Sequence, residues 1–132
     1  MYSKIYLIDD MELVNLMHSV LLRRFGVEDR ILSFTNPEDA LDDIRLQKTD
    51  SEPILILLDI NMPQMTGFEF LEFMVLEDFP TNMDVIIVSS STYHLDRILA
   101  ENFPQYVKDF VSKPLRSEQL RELLQEPLKK AL

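Results

Sequence analysis

The chain has no cysteine, two glycines in 132 residues, and far fewer basic than acidic side chains. Without cysteine there is no thiol nucleophile, no disulfide and no thiolate-held zinc, and the redox compartment stays open. Gly26 and Gly67 stand far apart. A dinucleotide loop or a Walker-type loop needs closely spaced glycines, so both are excluded. Thirteen Lys and Arg against 23 Asp and Glu give a formal net charge of −10. That balance argues against duplex nucleic acid or an anionic membrane surface, which need clustered cations; Arg23-Arg24 and Lys129-Lys130 are only pairs. No apolar run approaches the roughly 20 residues of a membrane span. Asp9-Asp10 interrupt the one apolar stretch near the N-terminus, so no signal-peptide pattern is present. A soluble, cytoplasmic protein is expected.

What is present is a regular alternation of strand and helix signals. Ile5-Tyr6-Leu7-Ile8 reads as a strand. Glu12 to Phe25 reads as a helix that packs Leu13, Leu16, Met17 and Val20, with Gly26 at C′ and His18 opposite, in solvent. A short strand is predicted around Arg30 to Phe34. Asn36-Pro37-Glu38-Asp39 then caps a helix through Ala40, Leu41 and Ile44 that fades by Lys48. The apolar run Ile54 to Leu58 precedes a helix from Phe68 to Glu77, and Val85 to Val88 precedes one through Leu95, Ile98 and Leu99. Asp109 to Ser112 is followed by a last helix from Ser117-Glu118, carrying Leu120, Leu123 and Leu124, with Pro127 near its end. Phe68, Phe70, Phe73 and Phe79 are assigned to packing, and His94 to a cap or surface place. Tyr93, Phe103 and Tyr106 fit either burial or a partner surface.

Five β-then-α units in a row imply an α/β fold, a five-stranded doubly wound parallel sheet with five helices and right-handed crossovers. Apolar content of 46% and charged content of 27% suit one globular domain. Residues 1–132 are expected to form that single domain, with no output domain.

Three strands end at chemistry. Ile8 runs into Asp9-Asp10, Leu58 into Asp59 and Val88 into Ser89. In open parallel sheets, ligands bind outside the carboxyl ends of the strands. Converging carboxylates repel one another, and a hard dication such as Mg2+ relieves this through oxygen ligands. Lys113, followed by Pro114, would bring a positive charge to the same rim. Alone, Asp9-Asp10 would be a helix cap, Ser89 a turn residue and Lys113 a surface lysine. Together they form a phosphoryl-transfer site with Asp59 as candidate nucleophile.

These residues, with the core Asp59-x-Asn61-Met62-Pro63-x-Met65-x-Gly67, resemble the response regulator receiver (CheY-like) domain of two-component signalling. The likeness covers essentially the whole chain and implies a flavodoxin-like strand order 2-1-3-4-5. It further implies that Asp59 is the phosphoacceptor, Asp10 the direct Mg2+ ligand and Asp9 the ligand through water, with the Asn61 carbonyl completing the shell. Ser89 would supply the hydroxyl and Lys113 the phosphate-binding ammonium, with a cis bond before Pro114. Phe110 takes the switch aromatic's place, and packing or a moving switch both suit it. Asn61 and Ser91 lie where the family tunes dephosphorylation. Ser89 stands where Thr is frequent, Phe110 lacks a phenol, and Lys108-Asp109 replaces small residues after a slightly long segment from Asn102 to Val107.

The resemblance implies a phosphorylation-controlled switch, not an enzyme beyond its own phosphotransfer and slow autodephosphorylation. Its partners would be a histidine kinase or histidine phosphotransfer domain and an unknown downstream protein, with no nucleic acid or membrane. It would be a monomer or weak homodimer. The rivals are a phosphorylation-independent adaptor of the same fold and an aspartate-nucleophile phosphatase of the haloacid-dehalogenase kind. The phosphatase family wants Asp-x-Asp after its first strand, whereas Asp9 and Asp10 are adjacent.

Overall fold

A computed structural model describes residues 2–47, 52–90 and 94–131. Lys48, Ser91, Thr92 and Tyr93 lie outside the described residues. The strands are β1 (Lys4–Ile8), β2 (Ile31–Phe34), β3 (Ile54–Leu58), β4 (Met83–Ser89) and β5 (Val107–Ser112). They form one parallel sheet in the order β2-β1-β3-β4-β5. The helices are α1 (Glu12–Arg23), α2 (Pro37–Arg45), α3 (Gly67–Leu76), α4 (His94–Ala100) and α5 (Ser117–Ala131). A 3-10 turn at Glu28–Arg30 leads into β2.

Alternation along the strands divides the core between the two sheet faces. Tyr6, Ile8, Ile56, Leu58 and Ile87 join Leu41, Ile44, Phe70 and Met74 on one side. Ile5, Leu7, Leu55, Leu57 and Val88 join Leu22 and Leu120 on the other. Because both faces of β3 are covered, its five residues are all buried and read as an uninterrupted apolar run.

Helix starts follow their caps. The Asn36 side chain accepts from the Glu38 N–H, ahead of Pro37 at the first helical position. Thr66 and Glu69 form a reciprocal capping box at the start of α3, at 3.1 and 3.0 Å. Phe70 and Phe79 are buried, and Phe68 is partly so, but Phe73 is exposed. Phe103 and Tyr106 are buried.

Besides the exposed Phe73, helix α1 and strand β5 correct expectations. On α1, the face of Leu13, Leu16, Met17 and Val20 is not packed: these residues are between 45% and 62% exposed. The inward stripe is Val14, Asn15, His18, Leu21, Leu22 and Phe25, and His18 is buried. Both stripes have helical spacing, and the inward one was masked by its two polar members. Gly26 does take positive φ (+70°), but two residues beyond the C-cap Arg24.

The second correction concerns β5, which begins at Val107 and not Asp109. Val85 pairs with Val107 while Ile86 pairs with Asp109, so Lys108 is the extra residue of a bulge. Val107 and Phe110, three residues apart, therefore pack against the same core cluster.

Candidate phosphoacceptor and metal site

Strand register brings the acidic residues together. Ile8 lies beside Leu58 in the β1–β3 ladder, so Asp9 and Asp59 leave the sheet at the same level. The Asp59 N–H donates to the Ile8 carbonyl at 3.0 Å, and the Asp9 N–H to the Phe34 carbonyl at 3.2 Å. Oxygens of Asp9, Asp10 and Asp59 all lie within 4.8 Å of one another. Asp9 and Asp59 are buried and Asp10 is exposed, which leaves the cluster open to solvent on one side.

Lys113 closes the other side. Its N–H donates to the Ser89 carbonyl at 2.9 Å, continuing the β4–β5 pairing one step past the strands. Its Nζ then donates to Asp9 Oδ2 at 2.7 Å and Asp59 Oδ1 at 3.4 Å. The Lys113–Pro114 peptide is cis. Ser89 is fully buried at the end of β4. Asn61 is exposed, two residues after Asp59. Phe110 is partly buried, with the Arg97 guanidinium carbon 4.7 Å from its ring centroid.

The electrostatics follow from this crowding. Burial, then the Asp9 charge, push the Asp59 carboxyl up to about 6, although Lys113 pulls the other way. Burial pulls the Lys113 ammonium down, but its bonds to Asp9 and Asp59 outweigh that and its pKa is raised. Burial also lowers the His18 imidazole, and the opposing charges of Asp9 and Lys113 act on it from across the rim. Three carboxylates and one ammonium leave two uncompensated negative charges when all are ionised. A hard dication with oxygen ligands fits that donor set.

A family model for the response regulator receiver domain matches residues 5–125. The chain belongs to that family. The receiver is 35% identical over 111 residues to a protein-glutamate methylesterase/protein-glutamine glutaminase of Desulfotalea psychrophila, covering 84% of this chain and 29% of that one. It is 37% identical over 100 residues to the transcriptional regulatory protein FlgR of Helicobacter pylori, covering 74% and 23%. The chain thus spans less than a third of either curated relative. Among solved structures, a two-component response regulator from Cytophaga hutchinsonii superposes with a TM-score of 0.81 at 28% identity over 96% of each chain. A receiver protein from Dyadobacter fermentans gives 0.80 at 29% identity, over 93% of this chain and 95% of that one. Two-component signalling is therefore the setting of this domain.

Three residues at the receiver's site have roles there that the sequence pattern does not state. A Cβ on Gly67 would lie 2.5 Å from the Asp59 carbonyl oxygen and 3.1 Å from Ile60 Cα, so only glycine permits α3 to start this close to Asp59. Its spacing was visible in the motif, but its steric role was not. Asn15 and His18 were concealed by the misleading stripe on α1. His18, with Val14, Met17, Leu21 and the segment Lys113-Pro114-Leu115, lines a cavity of about 300 Å³ beside the rim. Among the described residues, no helix is long and apolar enough to cross a membrane.

Proposed function

We propose that this receiver accepts a phosphoryl group on Asp59 from the phosphohistidine of a sensor kinase or phosphotransfer domain, as a Mg2+-dependent cytoplasmic switch. The reading is carried by one observation: Lys113 Nζ bridges Asp9 and Asp59 at the edge of a cluster in which an oxygen from each of three carboxylates lies within 4.8 Å of the others. Asp10 would hold Mg2+ directly, Asp9 through water, and Asp59 with the Asn61 carbonyl would complete the shell. When bound, the ion supplies charge neutralisation for the phosphoryl oxygens.

An Asp59 carboxylate oxygen attacks phosphorus. The P–O bond forms as the P–N bond to the donor imidazole breaks, and that bond's electron pair stays on the imidazole nitrogen. Lys113 then turns from the bare carboxylate to the new phosphoryl oxygens, and the Ser89 hydroxyl offers a further hydrogen bond. The donor must bring its histidine to the rim, and the uncovered apolar stripe of α1 flanks that approach. Phe110 carries the change to the α4–β5 face, where a groove of about 520 Å³ is lined by Arg97, Ile98, Val107 and Phe110. A downstream protein would read that face. Turnover is confined to the domain's own phosphoryl group.

The test is mass spectrometry after incubation with Mg2+ and acetyl phosphate. One base- and hydroxylamine-labile phosphate on the wild type, absent from Asp59→Asn, is expected. No adduct at any Mg2+ concentration would shift the reading to a phosphorylation-independent adaptor.

A further inference from the structure

Asp9 is held at every polar atom that the rim offers. Its N–H donates to the Phe34 carbonyl, its Oδ1 accepts from the Met11 N–H at 2.9 Å, and its Oδ2 accepts from Lys113 Nζ. Its carbonyl oxygen accepts from a residue with no role in the chemistry: Asn15 Nδ2, at 3.1 Å. The same nitrogen donates to the Phe34 carbonyl at 3.0 Å. One side-chain amide on α1 thus grips the last residue of β2 and the first residue beyond β1.

Asn15 is an unfavourable choice on other grounds. It sits in the second turn of a helix, where asparagine competes with the helical backbone. It is 3% exposed, within the stripe that packs on the sheet. Its Oδ1 is buried and meets no donor among the described residues. The two carbonyls on the nitrogen side settle the amide's orientation, so rotating it would not rescue that oxygen. A residue serving only to fill this space would be leucine, of similar size and with no polar atom to leave unpaired. The donors, not the volume, explain the asparagine.

We propose that Asn15 is a positioning residue for the metal-binding rim: by tying the ends of β1 and β2 to α1, it sets where Asp9 and Asp10 present their carboxylates. This rests on the magnesium site proposed above. Partners that orient metal ligands from behind are worth substantial affinity, because a ligand free to rotate must be ordered at binding.

The experiment is a Mg2+ titration of the 15N-labelled protein followed by NMR, with thermal melting in EDTA alongside. Asn15→Leu is expected to weaken Mg2+ binding by about tenfold, while its metal-free melting temperature moves by less than about 4 °C. Asn15→Ser, whose single hydroxyl can donate to only one carbonyl, should fall between Leu and wild type. A purely structural residue would lower the melting temperature and leave the Mg2+ affinity of the folded molecules unchanged. Affinities within about twofold of wild type in both variants would overturn the proposal, since a loss that small is below what an orienting partner contributes. It would be overturned equally if neither variant folds, because the amide's bonds then serve the fold. Failure of the underlying reading looks different: the wild type itself would show no saturable Mg2+ shifts at millimolar concentrations.

Discussion

The start of α3 is built against the backbone of Asp59: a methyl group on Gly67 would stand 2.5 Å from the Asp59 carbonyl oxygen. No side-chain motion relieves that contact, since a Cβ is fixed by its own backbone and the atoms it meets are all backbone. Gly67→Ala must therefore displace either α3 or the candidate phosphoacceptor. Overpacking of this kind costs about 1–3 kcal/mol, visible in urea denaturation. A small displacement of a reacting group is also expensive kinetically. Phosphorylation by acetyl phosphate should fall by at least about tenfold, and a normal rate would show that the loop yields without moving Asp59.

The buried Asp59 carboxyl makes metal-free stability depend on pH in a defined direction. Burial and the Asp9 charge raise the Asp59 pKa from 3.8 to about 6 in the folded state. The folded protein therefore holds the Asp59 proton more tightly than the unfolded chain does. The stability this contributes is present below pH 3.8 and is lost as pH rises through about 6. In EDTA, Asp59→Asn should be more stable than wild type at pH 8 by on the order of 2 kcal/mol, and the gap should close on acidification. Mg2+ should recover stability in the wild type, by mass action, more than in the variant. Paired denaturation curves at several pH values check this, and a gap independent of pH would contradict it.

How much of this was legible beforehand depends on what marked each element. Strands β1, β3 and β4 announced themselves as apolar runs ending at Asp9, Asp59 and Ser89, and the parallel topology carried those ends to one rim. The acidic cluster and Lys113 could be foreseen for that reason. Helix α1 could not be oriented, because Leu13-Leu16-Met17-Val20 and Val14-Asn15-His18-Leu21 satisfy the same helical spacing. The packed stripe contains the polar residues and the exposed one is apolar. Hydrophobicity alone chooses the wrong side whenever a buried face has polar work to do. Gly67's closeness to Asp59 is likewise a three-dimensional fact that no residue pattern states.

Arg97 and Phe110 join α4 to β5. The guanidinium carbon lies 4.7 Å from the ring centroid, and Arg97 Nη1 donates to the Phe110 carbonyl at a long 3.5 Å. With no phenol on Phe110, the ring's attraction for a cation takes the place of a hydroxyl contact. Arg97→Ala should destabilise by roughly 0.5–1 kcal/mol, and Arg97→Lys by less. A double-mutant cycle with Phe110→Leu isolates the pair: a coupling near zero would mean that the ring and the guanidinium are merely neighbours.

The bulge in β5 makes a prediction about a deletion. Val85 and Ile87 face one core cluster while Ile86 and Val88 face the other. Their β5 partners are Val107, Phe110, Asp109 and Val111 respectively, and Lys108 pairs with none of them. Removing Lys108 would leave Val107, Asp109 and Phe110 in regular alternation, each on the sheet face it already occupies. A deletion inside a strand ordinarily turns every following side chain to the wrong face. Here it should restore an uninterrupted ladder. The deleted protein is expected to fold, with stability within about 1 kcal/mol of wild type, because one exposed, unpaired residue is lost. Deleting Asp109 instead would move Lys108 opposite Ile86 and preserve the same alternation, so it should be tolerated as well. Deleting Phe110 removes the aromatic and moves Asp109 into its place opposite Ile87, which should cost several kcal/mol. Urea denaturation of the three deletions would rank them, and a Lys108 deletion as damaging as that of Phe110 would place the bulge elsewhere.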